Sequence, residues 1–278
     1  MLTGQELIRD IDATTPGVGE CALWWLGQLS YVLKLGDRVL YLDPYLSASR
    51  GRTTPPLLAP GEVRHAAIIT GSHDHADHID RPVWPALAEA SPGAKFVVPD
   101  LLRKRLAADL KVPEGRFVGL DDGAAVEVDG IRISGVAAAH EFLDRDGKSG
   151  RHPYLGYVIE GNDCRVYHAG DTCKYEGLET RLKRWPGFDV AMLPINGRDA
   201  VRLKAGCIGN MTYQEAVDLA GAVGVRLAIP SHWDMFKMNS EDPRKFADYL
   251  AVKFPRVRCL IPKHGERVLW RAEGCPAA

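Results

Sequence analysis

Residues 71–78 read Gly-Ser-His-Asp-His-Ala-Asp-His, so three of the chain's 9 histidines and two aspartates fall between His73 and His78. Imidazoles and carboxylates at this density are the donor set of a borderline divalent cation such as zinc or manganese. The octapeptide follows the apolar run "AAIIT" and precedes a helix signal near 81–90, which predicts a strand-to-helix turn. On such a turn His73 and His75 point to one side, while Asp77 and His78 turn toward a neighbouring point. Two cations a few ångströms apart would explain four donors so close together.

A His-rich surface loop is the plain alternative, but it leaves three further donors unexplained. His140 ends "ISGVAAAH", Asp171 ends "RVYHAGD" and His232 follows "RLAIPS". Each stands where an apolar strand runs out into polar sequence, and strand ends converge on one edge of a sheet, where sites are usually built.

The rest of the pattern shows how such strands could be arranged. Short apolar runs "ALWWL", "YVLKL" and "RVLYLD", separated at Gly27-Gln28 and Gly36-Asp37, predict an antiparallel meander. Strand and helix signals then alternate through "KFVV", "PDLLRKRLAADL" and the neighbouring segments. A second strand-rich block follows, "AAVEVDGIRISGVAAAH" and "YLGYVIEGNDCRVYHAGD", with turns at Asp129-Gly130 and Gly161-Asn162. "FDVAMLP", "TYQEAVDLAGAV", "RLAIP", a helix near 241–251 and "VRCLIP" complete a second alternating block. Two similar halves, each a sheet covered by helices on one face, predict an α/β fold packed as a four-layer αββα sandwich. No low-complexity linker interrupts it, so residues 1–278 are expected to form a single domain. The N-terminus reads as a short helix opened by a capping box, Thr3-x-x-Glu6.

A formal net charge of -1 provides no field for a polyanion, so a long nucleic acid is not an expected partner. No uninterrupted apolar stretch approaches the roughly 18 residues of a membrane span. The six cysteines (Cys21, Cys164, Cys173, Cys207, Cys259, Cys275) form no C-x-x-C pair, which favours a reducing, cytoplasmic setting. A homo-oligomer is compatible with all of this.

The order H-x-H-x-D-H, later His, later Asp, final His resembles the metallo-β-lactamase superfamily. That resemblance implies a binuclear site in which His73, His75 and His140 hold one metal, Asp77, His78 and His232 hold the other, and Asp171 bridges them. Asp43, at the end of "RVLYLD", matches the early aspartate that supports the histidine turn from behind. "WWLG" at 24–27, "RTTP" at 52–55, "HDHADHID" at 73–80, "YHAGD" at 167–171, "DVA" at 189–191, "MT" at 211–212 and "IPSHWD" at 229–234 are similar, in order, to the L-ascorbate-6-phosphate lactonase group. The implied activity is hydrolysis of a sugar-derived lactone, with or without a phosphate, such as L-ascorbate 6-phosphate, by a metal-bridging hydroxide, with Asp77 as proton relay. A phosphodiesterase or nuclease acting on a cyclic nucleotide or short oligonucleotide is the alternative. The absence of a G-x-S-x-G elbow agrees with a metal-activated route.

Three long loops, 45–62, 141–153 and 195–211, are the places to look for substrate contacts. Arg198 is the first candidate for clamping an anionic small-molecule substrate, because a guanidinium offers its donors in a fixed fork. Asn196 beside it, His152 and His264 are further substrate-binding candidates, with Arg50 and Arg52 weaker ones. His168 reads as structural, and His65 as a solvent-facing strand start.

Overall fold

The computed structural model describes residues 1–271; Cys275 lies outside them. One sheet contains β1 (Glu20–Gly27), β2 (Ser30–Leu35), β3 (Arg38–Leu42), β4 (Ala66–Thr70), β5 (Lys95–Pro99) and β6 (Phe117–Leu120). The other contains β7 (Ala125–Val128), β8 (Ile131–Ala137), β9 (Leu155–Gly161), β10 (Cys164–His168), β11 (Phe188–Pro194), β12 (Val225–Ser231) and β13 (Arg258–Cys259). β14 (Arg267–Arg271) returns to the first sheet and pairs antiparallel with β1. The orders are β14-β1-β2-β3-β4-β5-β6 and β13-β12-β11-β10-β9-β8-β7.

The two sheets mirror one another. β1 to β3 are antiparallel and β3 to β6 parallel; β7 to β10 are antiparallel and β10 to β13 parallel. The tight turns anticipated from sequence are present, with Asp129 at φ 51 and Gly130 at φ 78. Positive φ at both central residues matches the right-handed twist of the flanking strands. The turn between β9 and β10 is made by Asn162 and Asp163, at φ 53 and φ 56, one residue beyond its expected position.

Strand alternation explains the four layers. In β1, Cys21, Leu23 and Trp25 join the apolar core between the sheets, while Ala22, Trp24 and Leu26 join a second core beneath α1 (Gly4–Ala13), α2 (Trp84–Ala90) and α3 (Asp100–Leu110). Successive side chains on a strand point to opposite faces, so the adjacent tryptophans serve two cores. A third core lies under α4 (Leu178–Leu182), α6 (Tyr213–Ala222) and α7 (Pro243–Lys253) on the far face of the second sheet. The short α5 (Ala200–Lys204) sits inside the 195–211 loop, where the Asp199 side chain accepts from the Val201 and Arg202 amides.

Three details differ from the sequence reading. The N-terminal helix forms, but Thr3 makes no side-chain cap hydrogen bond, so the capping box is not made. "VRCLIP" contributes only Arg258 and Cys259 to a strand, and the strand β14 beyond it carried no clear sequence signal because its residues are mostly exposed. His65 is not free in solvent: its ring bonds the Tyr41 hydroxyl at 2.8 Å and Asp12 at 2.5 Å. Among the described residues no helix is long and apolar enough to cross a membrane.

Candidate metal centre

β3, β4, β8, β10 and β12 all point their C-terminal ends toward one edge of the sandwich, the edge at which open α/β sheets bind ligands. β4 runs into the turn carrying His73, His75, Asp77 and His78; β8 leads to His140, β10 to Asp171, and β12 to His232. Their donor atoms form three groups, His73 with His75 and His140, Asp77 with His78 and His232, and His73 with His78 and Asp171, each within 4.8 Å. The first two groups are the trios that the sequence resemblance implies, and Asp171 lies between them.

The contacts show which atoms converge. His73 Nε2 lies 3.0 Å from His75 Nδ1, which is 3.3 Å from His140 Nε2. His232 Nε2 is 3.4 Å from both Asp77 Oδ2 and Asp171 Oδ2, and His78 Nε2 is 3.4 Å from Asp171 Oδ1. Asp74, from the same turn, points away and pairs with Arg81 and Arg105.

This donor set fits a cation. His78 Nε2 and Asp171 Oδ1 are buried, face one another and have no hydrogen-bond partner. At 3.4 Å they meet only as a charge pair, and a coordinated ion would give each a direct bond. Charge is divided accordingly. Burial pushes His73 well below its ordinary value and His140 down to about 4, which leaves both neutral and able to ligate. Burial also acts against ionisation of Asp77 and Asp171, but His78 and His232 outweigh it and hold both carboxyls below the usual range. Reciprocally, Asp171 and Asp77 overcome burial to raise His78 and to bring His232 up to about 10. A cation taking over this balancing charge would release those protons, since ligating imidazole is neutral.

The support behind the donors is polar and buried. Asp43 takes His78 Nδ1 at 2.6 Å, the Ser72 amide at 2.9 Å and the Ser72 hydroxyl, while Ser72 Oγ lies 3.0 Å from His73 Nδ1. These partners orient the histidines and their tautomers. Gln28 Nε2 lies 3.4 Å from both Asp77 Oδ2 and His232 Nδ1, and its backbone carbonyl accepts from the His232 amide at 3.1 Å. Asp43 and His232 have φ 43 and φ 57, left-handed conformations that non-glycine residues rarely adopt and that cluster at functional sites. Gly170, at φ 61, passes so near Leu155 that a Cβ would stand 2.5 Å from its carbonyl oxygen. Glycine is needed there for Asp171 to enter the cluster.

The substrate-binding candidates are placed differently. The Arg198 fork is engaged by Glu215 through two contacts of 2.7 Å, with a third bond to the Asn210 carbonyl. Asn196 is buried and gives its amide to Asn239 while accepting from Asn210. His152 is buried, with Nδ1 and the backbone amide both on Asp121. His264 stacks on Trp25 at 4.2 Å and bonds Asp234, whose other oxygen takes the Gln28 amide; it braces the His232 turn from behind. Arg52 staples its own loop through the carbonyls of Tyr45, Ser47 and Thr54. His168 is structural, bonded to the Leu29 carbonyl at 2.8 Å.

Sequence reasoning missed Ser72, Gln28 and Tyr154. Ser72 was legible in "GSHDH" as a hydroxyl beside the first donor, whereas nothing in the Gly27-Gln28 turn indicated reach to residues some 200 positions away. Tyr154 packs its ring 5.5 Å from both His73 and His140. Asp77 and His75 are the least buried donors, and Asp77 opens into a cavity of about 560 Å³ with Tyr45, Phe236 and Met238 in its wall.

Residues 38–233 match the family model described as a beta-lactamase superfamily domain. The chain is 28% identical over 242 residues to a UPF0173 metal-dependent hydrolase of Thermococcus onnurineus, covering 87% of this chain and 96% of that protein. A protein of the same description from Pyrobaculum aerophilum is 27% identical over 244 residues, with coverage of 87% and 96%. Among solved structures, Igni18, a metallo hydrolase of Ignicoccus hospitalis, superposes with a TM-score of 0.70 at 19% identity, covering 91% of this chain and all of that one.

Proposed function

The chain belongs to the beta-lactamase superfamily and is a metal-dependent hydrolase; from that premise we propose that it opens cyclic esters, with two divalent cations, zinc or manganese, held at the strand-end cluster. His73, His75 and His140 would hold one cation, Asp77, His78 and His232 the other, with Asp171 between them. The observation that supports this reading is the grouping of seven donors into two trios and a shared carboxylate, with buried unpartnered atoms on His78 and Asp171. Bound divalent cations supply a water of lowered pKa and a Lewis acid that polarises the carbonyl.

The chain's own residues supply the rest. Asp43 and Ser72 fix the rings of His78 and His73, and Gln28 holds His232 and Asp77 in register. Water adds to the carbonyl carbon, the ring C–O bond breaks, and a proton reaches the departing oxygen to leave a hydroxy acid. In this reading Asp77 carries that proton, and its position at the border of the open cavity supports the assignment. The sugar-derived lactones of the resembling group belong to this reaction class.

The test combines metal analysis by mass spectrometry, on protein purified without added metal, with a panel of lactones and bis-p-nitrophenyl phosphate. About two equivalents of metal, and lactone hydrolysis lost in Asp171→Ala, are expected. Lactone hydrolysis that persists in Asp171→Ala would overturn the assigned metal centre, and cleavage of the phosphodiester alone would overturn the cyclic-ester reading.

A further inference from the structure

Beside the donor cluster, the loops after His140 and Asn196 enclose a cavity of about 400 Å³, within the size range of small-molecule sites. Its walls are Phe142, Tyr175, Leu203 and Ile208, with Cys173 and Cys207 between them. Cys207 also borders the opening into which Asp77 faces, so the two spaces share that residue as a wall. Phe142 is 66% exposed and Leu203 55%, and Met238, in the wall of the opening that Asp77 borders, is also exposed. Large apolar groups left together in water at the rim of a concave site mark a ligand surface.

Charge points the same way. Both cations in the wall are already paired, Arg198 with Glu215 at 2.7 Å and Lys174 with Glu179 at 2.8 Å. An anionic group entering here would have to break one of these pairs, and it would meet the Glu141 carboxylate in the same wall. An apolar group displaces water without unpairing anything.

We propose that this cavity receives a neutral, apolar arm of the substrate, an alkyl chain or aryl ring attached to the ester that the metal centre opens. The inference rests on the cyclic-ester reading above and gives that site its substrate class: alkyl- or aryl-substituted lactones in preference to phosphorylated sugar lactones. Phe142 and Leu203 are the specificity-determining residues, because both lie in the wall and neither belongs to the donor cluster.

The experiment measures kcat/KM of metal-replete protein on γ-lactones of increasing alkyl length and on a phosphorylated sugar lactone, and follows binding of the neutral dye Nile red by fluorescence. A rise of up to about fourfold per added methylene is expected until the cavity is filled. Leu203→Glu and Phe142→Ser flatten that dependence and weaken dye binding, whereas Val252→Ser, on the exposed side of α7, leaves both as they were. A flat dependence, a phosphorylated lactone turned over fastest, or dye binding indifferent to Leu203→Glu overturns the assignment. If no lactone is hydrolysed yet dye binding depends on Leu203 and Phe142, the cyclic-ester reading falls while the apolar cavity stands.

Discussion

The first sheet delivers four donors from a single turn after β4, whereas the second delivers three, one each from the ends of β8, β10 and β12. The local quartet is set by short-range geometry: a turn held by Asp43, Ser72 and the close packing of Gly71 against Ile79 and Trp84. The dispersed trio depends on two sheets being stacked in register, since Asp171 has to reach His78 and His232 from a third direction. A contiguous motif can therefore present donors, but a closed site needs the inter-sheet core to bring the others to it.

The largest effect expected is at Asp171. Asp171→Ala removes the one carboxylate shared between the two trios and is expected to weaken metal binding by more than the roughly hundredfold that changes behind a ligand cost, read by competition with a chromophoric chelator. His75→Ala, on the exposed side of the quartet, should cost less; equal losses would break the distinction between local and dispersed donors.

Next is Gly170→Ala, a change behind the dispersed set. The left-handed φ and the Cβ clash with the Leu155 carbonyl should cost about 1–3 kcal/mol of stability, of the order known for such strained positions, measured by urea unfolding. Asp43→Asn tests the support of the local quartet. Asparagine tolerates the left-handed backbone, so the fold should persist while metal affinity falls about 10–100-fold. An unfolded Asp43→Asn protein would show that Asp43 holds the sandwich rather than the site.

A smaller loss is expected from Gln28→Ala, about tenfold in metal affinity, at the lower end for a group behind a ligand, with unfolding little changed. The smallest belongs to Arg198→Ala. Its pair with Glu215 is half exposed, and pairs of that kind contribute about 0.2–1 kcal/mol, which a shift of thermal midpoint of a few degrees at most would register. A larger loss would mean that the 195–211 loop is a structural part of the dispersed trio's support.

Much of this was legible in residue order. The spacing of His73, His75, Asp77 and His78 encodes a shared turn, and the rule that donors stand at strand ends brought His140, Asp171 and His232 to one topological edge. What could not be read were partners set by side-chain reach across the fold: Gln28 against His232, Tyr154 against His73 and His140, and Glu215 closing on Arg198. Arg198 illustrates the reason, because a guanidinium in a loop after a strand has the same sequence signature whether its fork faces a ligand or a glutamate on α6.

The sequence by itself determined the donors, their order and the strand ends that carry them, because periodicity and ligand spacing are properties of short segments. Tertiary structure alone decided which side-chain cations are paired, which atoms are buried without hydrogen bonds, and that the cavity beside the cluster is walled by apolar groups. Those outcomes depend on pairings between residues far apart in the chain, formed only when the two sheets pack.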